Sequence, residues 1–168
     1  MTVSIDFSTL DLMDALDLAI LIEAEAWERY THFAKQIGRR VPGDAASIFH
    51  SMATNEEKHG HQLSERRQEL FGDSPLRVSR NAIFDVEAPE PGAPRWNMSP
   101  LKAFRLALDS EEKAYWFFDE ALKHVKDPAV RELFAELRDE ETEHVRMVKD
   151  AIAALPPGSD VDRENEDD

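Results

Sequence analysis

The chain contains no cysteine. That absence excludes a thiol nucleophile, a structural cysteine–zinc site, an iron–sulfur cluster and Cys-ligated mononuclear iron, and it leaves the redox compartment open. Basic residues are also scarce, 20 Lys and Arg against 35 Asp and Glu, for a formal net charge of -15. Without a basic stripe to neutralise phosphates, neither nucleic acid nor an anionic membrane surface is an expected partner. No apolar, charge-free run reaches the roughly eighteen residues that a membrane-spanning helix requires. Met1 to Leu10 lacks a basic segment followed by an apolar one, so no secretory signal is read and a cytoplasmic location is expected.

What is present is an even mixture of 42% hydrophobic and 33% charged residues over a length of 168, which suits one domain of packed amphipathic helices. Punctuation residues divide the chain into four long segments with apolar steps of three and four. The first runs from Ser8, in a Ser8/Asp11 capping box, to Gly38. The second follows Val41-Pro42-Gly43, with Asp44 near its N-cap, and ends at Phe71-Gly72. Ser99-Pro100 opens the third, which is expected to reach Lys126, and Asp127-Pro128 opens the fourth, which stops before Pro156. Residues 72–98 carry four prolines and no helical period between Asp73 and Met98, so they read as a linker or crossover. The predicted fold is an all-α antiparallel four-helix bundle over residues 1–155, two helical hairpins joined by the long crossover, with a disordered acidic tail over 156–168.

The two halves resemble each other. Ala19 to Glu23 aligns with Ala107 to Glu111, and Glu56-Glu57-Lys58-His59 aligns with Glu141-Thr142-Glu143-His144. Such a repeat implies a pseudo-twofold axis, and a site on it receives matched side chains from both halves.

Polar residues interrupt the inward stripes at matching depth. The first stripe reads Leu12, Leu16, Ile20, Glu23, Trp27, Tyr30, and the second Phe49, Met52, Glu56, His59, Leu63, Leu70. The third reads Leu101, Phe104, Leu108, Glu111, Tyr115, Phe118, and the fourth Val130, Phe134, Leu137, Glu141, His144, Val148. Each Glu stands near the middle of its segment, and each Glu-x-x-His step places both side chains on one helix face, a turn apart. Four carboxylates in one buried layer repel, and burying even one unpaired charge costs several kcal/mol. Either the carboxyls are protonated or cations neutralise them. Two divalent ions balance four Glu charges, and two neutral imidazoles complete the donor set. Hard oxygen donors with a minority of imidazole suit iron or manganese, and zinc also binds such sites. The expected metal ligands are therefore Glu23, Glu56, His59, Glu111, Glu141 and His144, the pattern of dimetal carboxylate bundles.

With these elements in place, the chain resembles the ferritin-like diiron superfamily, and most closely the rubrerythrin-like diiron domain, from Leu12 to Leu155. The resemblance rests on the paired Glu-x6-Tyr/Phe elements, Glu23 to Tyr30 and Glu111 to Phe118, and on the two Glu-x-x-His pairs. It implies two iron ions, with Glu56 and Glu141 bridging, Glu23 and Glu111 terminal, and His59 and His144 each capping one metal. Two departures stand out. Ala114 occupies the place three residues after Glu111 where rubrerythrins carry another Glu, and the cysteine-free chain has no rubredoxin domain. A bacterioferritin-like reading meets Glu57 where that family has its haem-ligating Met.

The resemblance implies a non-haem diiron oxidoreductase that reduces peroxide or dioxygen, with electrons from Fe(II) itself or from a separate donor protein. The alternatives are a ferroxidase or iron-handling protein whose substrate is Fe(II), and a noncatalytic metal-binding bundle. A homo-oligomer is expected, a dimer formed by exchange of hairpins. Tyr30, one helical level from Glu23, is a candidate catalytic residue that hydrogen-bonds a ligating carboxylate or relays an electron; an ordinary buried tyrosine is the other reading. His32, His50, His61 and His124 are read as surface residues. Glu25, Glu57, Glu112, Glu140 and Glu143 are read as solvated, and Trp27, Tyr115 and Trp116 as core or interface aromatics.

Overall fold

The structure is a computed structural model and describes residues 5–37, 45–79 and 98–158. After a single 3-10 turn, Phe7–Thr9, four helices follow: α1 Leu12–Ile37, α2 Ala45–Phe71, α3 Pro100–Leu122 and α4 Pro128–Ala153. No strand occurs among the described residues. The first interhelix link with the Asp44 cap, the central part of the crossover (80–97) and the tail from residue 159 lie outside the described residues.

The helix ends follow local chemistry, with two corrections to the sequence reading. α1 starts at Leu12, not Ser8, because Asp6 caps the 3-10 turn and Asp11 Oδ1 accepts the hydrogen bond of Asp14 N at 2.9 Å. α3 ends at Leu122 rather than Lys126, and the chain turns through 123–127 into the cap of α4. Ser99 accepts from Lys102 N, Asp127 accepts from Ala129 N and Val130 N, and each is followed by proline in the first turn, where a missing N–H costs nothing. α2 stops at Gly72, whose φ of 58° is a left-handed conformation that glycine adopts without a Cβ clash.

α1 packs along α2 and α3 along α4, while contacts between α2 and α3 and between α1 and α4 close the bundle. α2 also faces α4 at two levels. His59 stacks on His144, and Arg66 pairs with Glu136 at 3.1 Å. Rising numbers on α2 thus meet falling numbers on α4, so those two helices are antiparallel and α3 runs parallel to α2. The end of α2 and the start of α3 therefore lie at opposite poles, which explains why the chain needs so long a connection between them.

The core divides into two apolar clusters on either side of the middle of the bundle. One gathers Leu16, Ile22, Leu63, Phe118, Val130 and Phe134, and the other Tyr30, Phe33, Phe49, Met52 and Val148. Near the first, Arg67 is buried against Asp17, donating from Nε at 2.9 Å, and also donates to the carbonyls of Gly72 and Ser74. This arginine ties the end of α2 to α1 and satisfies its own charge with a carboxylate and two carbonyls.

The stripes need correction in phase. Trp27 is 39% exposed, Leu70 53% and Trp116 63%, so none of the three is a core residue. On α3 the buried positions are Ala103, Ala107, Ser110, Glu111, Ala114, Phe118 and Ala121, while Leu101, Phe104, Leu108 and Tyr115 flank them half-buried. Small residues on that seam let the helix backbone approach its neighbours closely. α1 buries a wider arc than one stripe, because it packs on α2 and α4 together, and Asp17 and Glu25 fall inside it.

Candidate metal centre

Glu111 is the central residue of α3, and Glu23, Glu56 and Glu141 stand within two residues of the middle of their helices. All four are buried, none more than 3% exposed, in the layer between the two apolar clusters. His144, on α4, is 9% exposed, and His59, on α2, is only partly buried. The two imidazole rings lie parallel, 4.9 Å apart at 6°.

The side chains converge in two groups with ligand atoms within 4.8 Å of one another: Glu23, Glu56 and His59, and Glu56, Glu111 and His144. Donors about 2.1 Å from a shared cation stand at most about 4.2 Å apart, so small side-chain rotations close either group. Glu56 belongs to both groups, which is what a bridging carboxylate requires. Glu141 is less engaged than its symmetry mate. It faces the same layer, with Oε2 3.5 Å from His144 Nδ1, but it joins neither group of three.

The electrostatics are those of a site built for cations. Glu23 Oε2, His59 Nδ1 and Glu111 Oε1 are buried and meet no hydrogen-bond partner among the described residues. Burial pushes the Glu23 carboxyl up to about 7, helped by the Glu111 charge and opposed by a hydrogen bond from Glu56. Burial and the neighbouring His144 pull His59 down to about 4. Burial also disfavours charge on His144, but its hydrogen bond to Glu111 at 3.4 Å and the charges of Glu111 and Glu23 outweigh that and raise it. Orphaned carboxylate and imidazole atoms beside a proton-sharing cluster fit a pair of divalent ions. The donor set is oxygen and imidazole with no sulfur.

Tyr30 is fully buried and stacks on Phe49 at 5.9 Å, whereas its counterpart Phe118 packs edge-on against Phe134 at 5.4 Å. His32, His50, His61 and His124 are exposed, as the sequence indicates. Three of the neighbouring glutamates are not solvated as expected, Glu25, Glu140 and the partly buried Glu112. Glu25 is 6% exposed and lies 3.8 Å from Arg29, and Glu140 is half-buried, with its carboxyl raised by burial. Sequence reasoning missed the Asp17–Arg67 pair altogether, since the partners are fifty residues apart and no local spacing links them.

Two pockets open onto the centre. One, of about 280 Å³, lies between α1 and α2 and is bordered by Glu23, Glu56, Ile20, Ala24, Trp27 and Gly60, together with the exposed Glu57, His61 and Ser64. The other, of about 160 Å³, lies between α2 and α4 and is bordered by His59, Gln62, Arg66, Glu136 and Glu140 over a floor of three leucines.

Four helices that carry carboxylates and paired Glu-x-x-His elements into one buried layer define a ferritin-like metal-binding bundle. The family profile of rubrerythrin matches residues 14–163, and the chain belongs to that family. Among solved structures, it is similar to the crystal structure of an uncharacterized conserved protein from Magnetospirillum magnetotacticum MS-1. The two share 30% identity and a TM-score of 0.67, over 88% of this chain and 97% of that one. No curated protein matches the chain. Among the described residues, no helix is long and apolar enough to cross a membrane.

Proposed function

We propose that this chain is a non-haem diiron oxidoreductase that reduces peroxide or dioxygen. The observation that supports the reading most directly is the convergence of Glu23, Glu56, His59, Glu111 and His144 in two groups that share Glu56. Glu141, 3.5 Å from His144, is the sixth ligand. Iron is preferred to manganese or zinc because oxygen and imidazole donors combined with redox chemistry call for a metal that changes oxidation state.

When bound, the iron pair supplies two electrons, which with two protons take hydrogen peroxide to two molecules of water. The chain does the rest. Glu56 holds the shared position between the two groups, and Glu23 and Glu111 stand on either side of it. Cations compete with protons for Glu23 and His144, whose proton affinities are both raised, so metal binding is coupled to proton release. The two apolar clusters above and below the layer keep bulk water from the carboxylates. Tyr30 lies within one of these clusters. Electrons for repeated turnover come from a separate donor protein; the cysteine-free chain cannot supply them from a rubredoxin-type or iron–sulfur centre.

A second reading, a ferroxidase whose substrate is Fe(II), is favoured by the carboxylate-bearing pocket at His59. Stopped-flow mixing separates the two. Protein loaded anaerobically with two Fe(II) per chain is expected to be oxidised by peroxide or dioxygen and to cycle when a reductant is present. Continued consumption of Fe(II) beyond two per chain, with the ferric product retained, would instead establish the ferroxidase. A colourless protein inert to both oxidants would leave only a noncatalytic bundle.

A further inference from the structure

The two pockets that reach the centre differ in chemistry, and the difference has a function. Between α2 and α4, Glu136 and Glu140 stand one turn apart on the same face of α4, and His59, Gln62 and Arg66 face them from α2. Arg66 closes the outer level by pairing with Glu136 at 3.1 Å, both partners being about a third to a half exposed. Glu140 stands further in, half-buried, and His59 marks the inner end. The outer level thus carries the exposed Glu136 carboxylate and Gln62 amide, the inner level the half-buried Glu140 and His59, with one guanidinium across the mouth. The opening between α1 and α2 leads to Glu23 and Glu56 past Ile20, Ala24, Trp27 and Gly60, and its polar groups, Glu57, His61 and Ser64, are confined to the exposed α2 rim. Gly60 keeps its floor low, since a Cβ there would stand 3.8 Å from the Glu23 Cβ.

We propose that the centre has two separate entrances: divalent cations reach it through the polar mouth at Arg66, Glu136 and Glu140, and dioxygen reaches it through the apolar mouth at Ala24, Trp27 and Gly60. A cation sheds water most easily where carboxylate and amide oxygens replace its hydration in steps, and charge at such a mouth concentrates it. Dioxygen has no hydration shell to lose and partitions into apolar clefts. This division rests on the diiron reading above, and it adds the route and the gating residues. Arg66, the one cationic side chain across the polar mouth among the described residues, sets the rate of metal uptake.

The test follows metal uptake itself, using Co(II) as the probe and its visible absorption as the signal, so that no turnover is required. At low salt Glu140→Gln is expected to slow uptake about tenfold, in line with the loss of a steering charge. Arg66→Gln is expected to speed it, and Glu57→Gln, at the other mouth, to leave it unchanged. Equilibrium stoichiometry should be the same in all three variants. In the second arm, Ala24→Trp is expected to slow oxidation of the loaded Fe(II) protein by dioxygen severalfold at unchanged Co(II) uptake. It should also abolish the xenon binding between α1 and α2 that pressurised wild-type crystals are expected to show. Equal uptake rates in the Glu140, Arg66 and Glu57 variants, or an Ala24→Trp protein with wild-type oxidation and a retained xenon site, would overturn the proposal and leave the diiron reading standing. Failure of the wild-type chain to bind Co(II) or Fe(II) would overturn both.

Discussion

The two hairpins present the same ligand triad in different states. In the first, Glu23 and Glu56 border the pocket between α1 and α2, His59 borders the one between α2 and α4, and the imidazole is held low, near 4. In the second, Glu111 is fully buried, and His144 sits between it and Glu141, at 3.4 and 3.5 Å, with its affinity for a proton raised. The symmetry of the sequence repeat is thus broken at the level of access and protonation. One half borders the two openings, while the other holds its charges in place by internal pairing. A duplicated scaffold places matched carboxylates and an imidazole in each half, and the surroundings make the two sets unequal.

The largest expected effect tests whether Glu56 is shared. Glu56→Gln should weaken both positions, with apparent affinity falling more than about 100-fold and less than one ion retained per chain by elemental analysis. Glu141→Gln should keep the ion held by Glu23, Glu56 and His59. Equal losses in the two variants would mean that the halves are equivalent after all.

Next in size is the pH dependence of the metal-free protein. Glu23 is raised from 4.5 to about 7, so its contribution to stability is complete below 4.5 and disappears as pH rises through 7. His144 is raised as well, so its contribution fades above 6.5. His59, lowered to about 4, contributes above 6.5 and loses that only as pH falls through 4. Above pH 6.5 only the first two groups change, and both destabilise. The Tm of metal-free protein should therefore fall between pH 6.5 and 8, by calorimetry. The full Glu23 shift corresponds to about 3 kcal/mol, most of it already lost by pH 7. Metal affinity should rise over the same window, because the ions displace those protons. A Tm that rises with pH would contradict the assignment of the raised groups.

The smallest effect concerns the one aromatic difference between the halves. Tyr30→Phe gives the first hairpin the counterpart of Phe118. It should cost about 1 kcal/mol of stability and leave metal stoichiometry unchanged. If Tyr30 relays electrons, oxidation by peroxide will yield fewer tyrosyl radical signals and slower reduction by the donor. Identical kinetics would return Tyr30 to the core.

The six candidate ligands stand out in the sequence because the four Glu break apolar periods near the middle of their helices and because the Glu-x-x-His spacing occurs twice. The helix boundaries were legible at Ser99-Pro100, Asp127-Pro128 and Gly72, where capping chemistry is local. The phase of α3 was not, because its buried seam is alanine and serine, and hydrophobic periodicity follows the larger Leu101, Phe104 and Tyr115 beside it. Burial of Asp17 and Glu25 was equally hidden. It depends on how wide an arc of α1 its neighbours cover, and for Asp17 on an arginine from another helix. The inequality of the two halves was likewise beyond sequence spacing, since it arises from which helix pairs leave gaps.

The most direct test is a crystal structure of aerobically prepared, Fe(II)-loaded protein, with anomalous scattering measured at the iron edge. Two peaks per chain, bridged by Glu56 and capped by His59 and His144, are the predicted result. A folded protein with no anomalous density between these side chains would contradict the claim that cations neutralise the buried carboxylate layer.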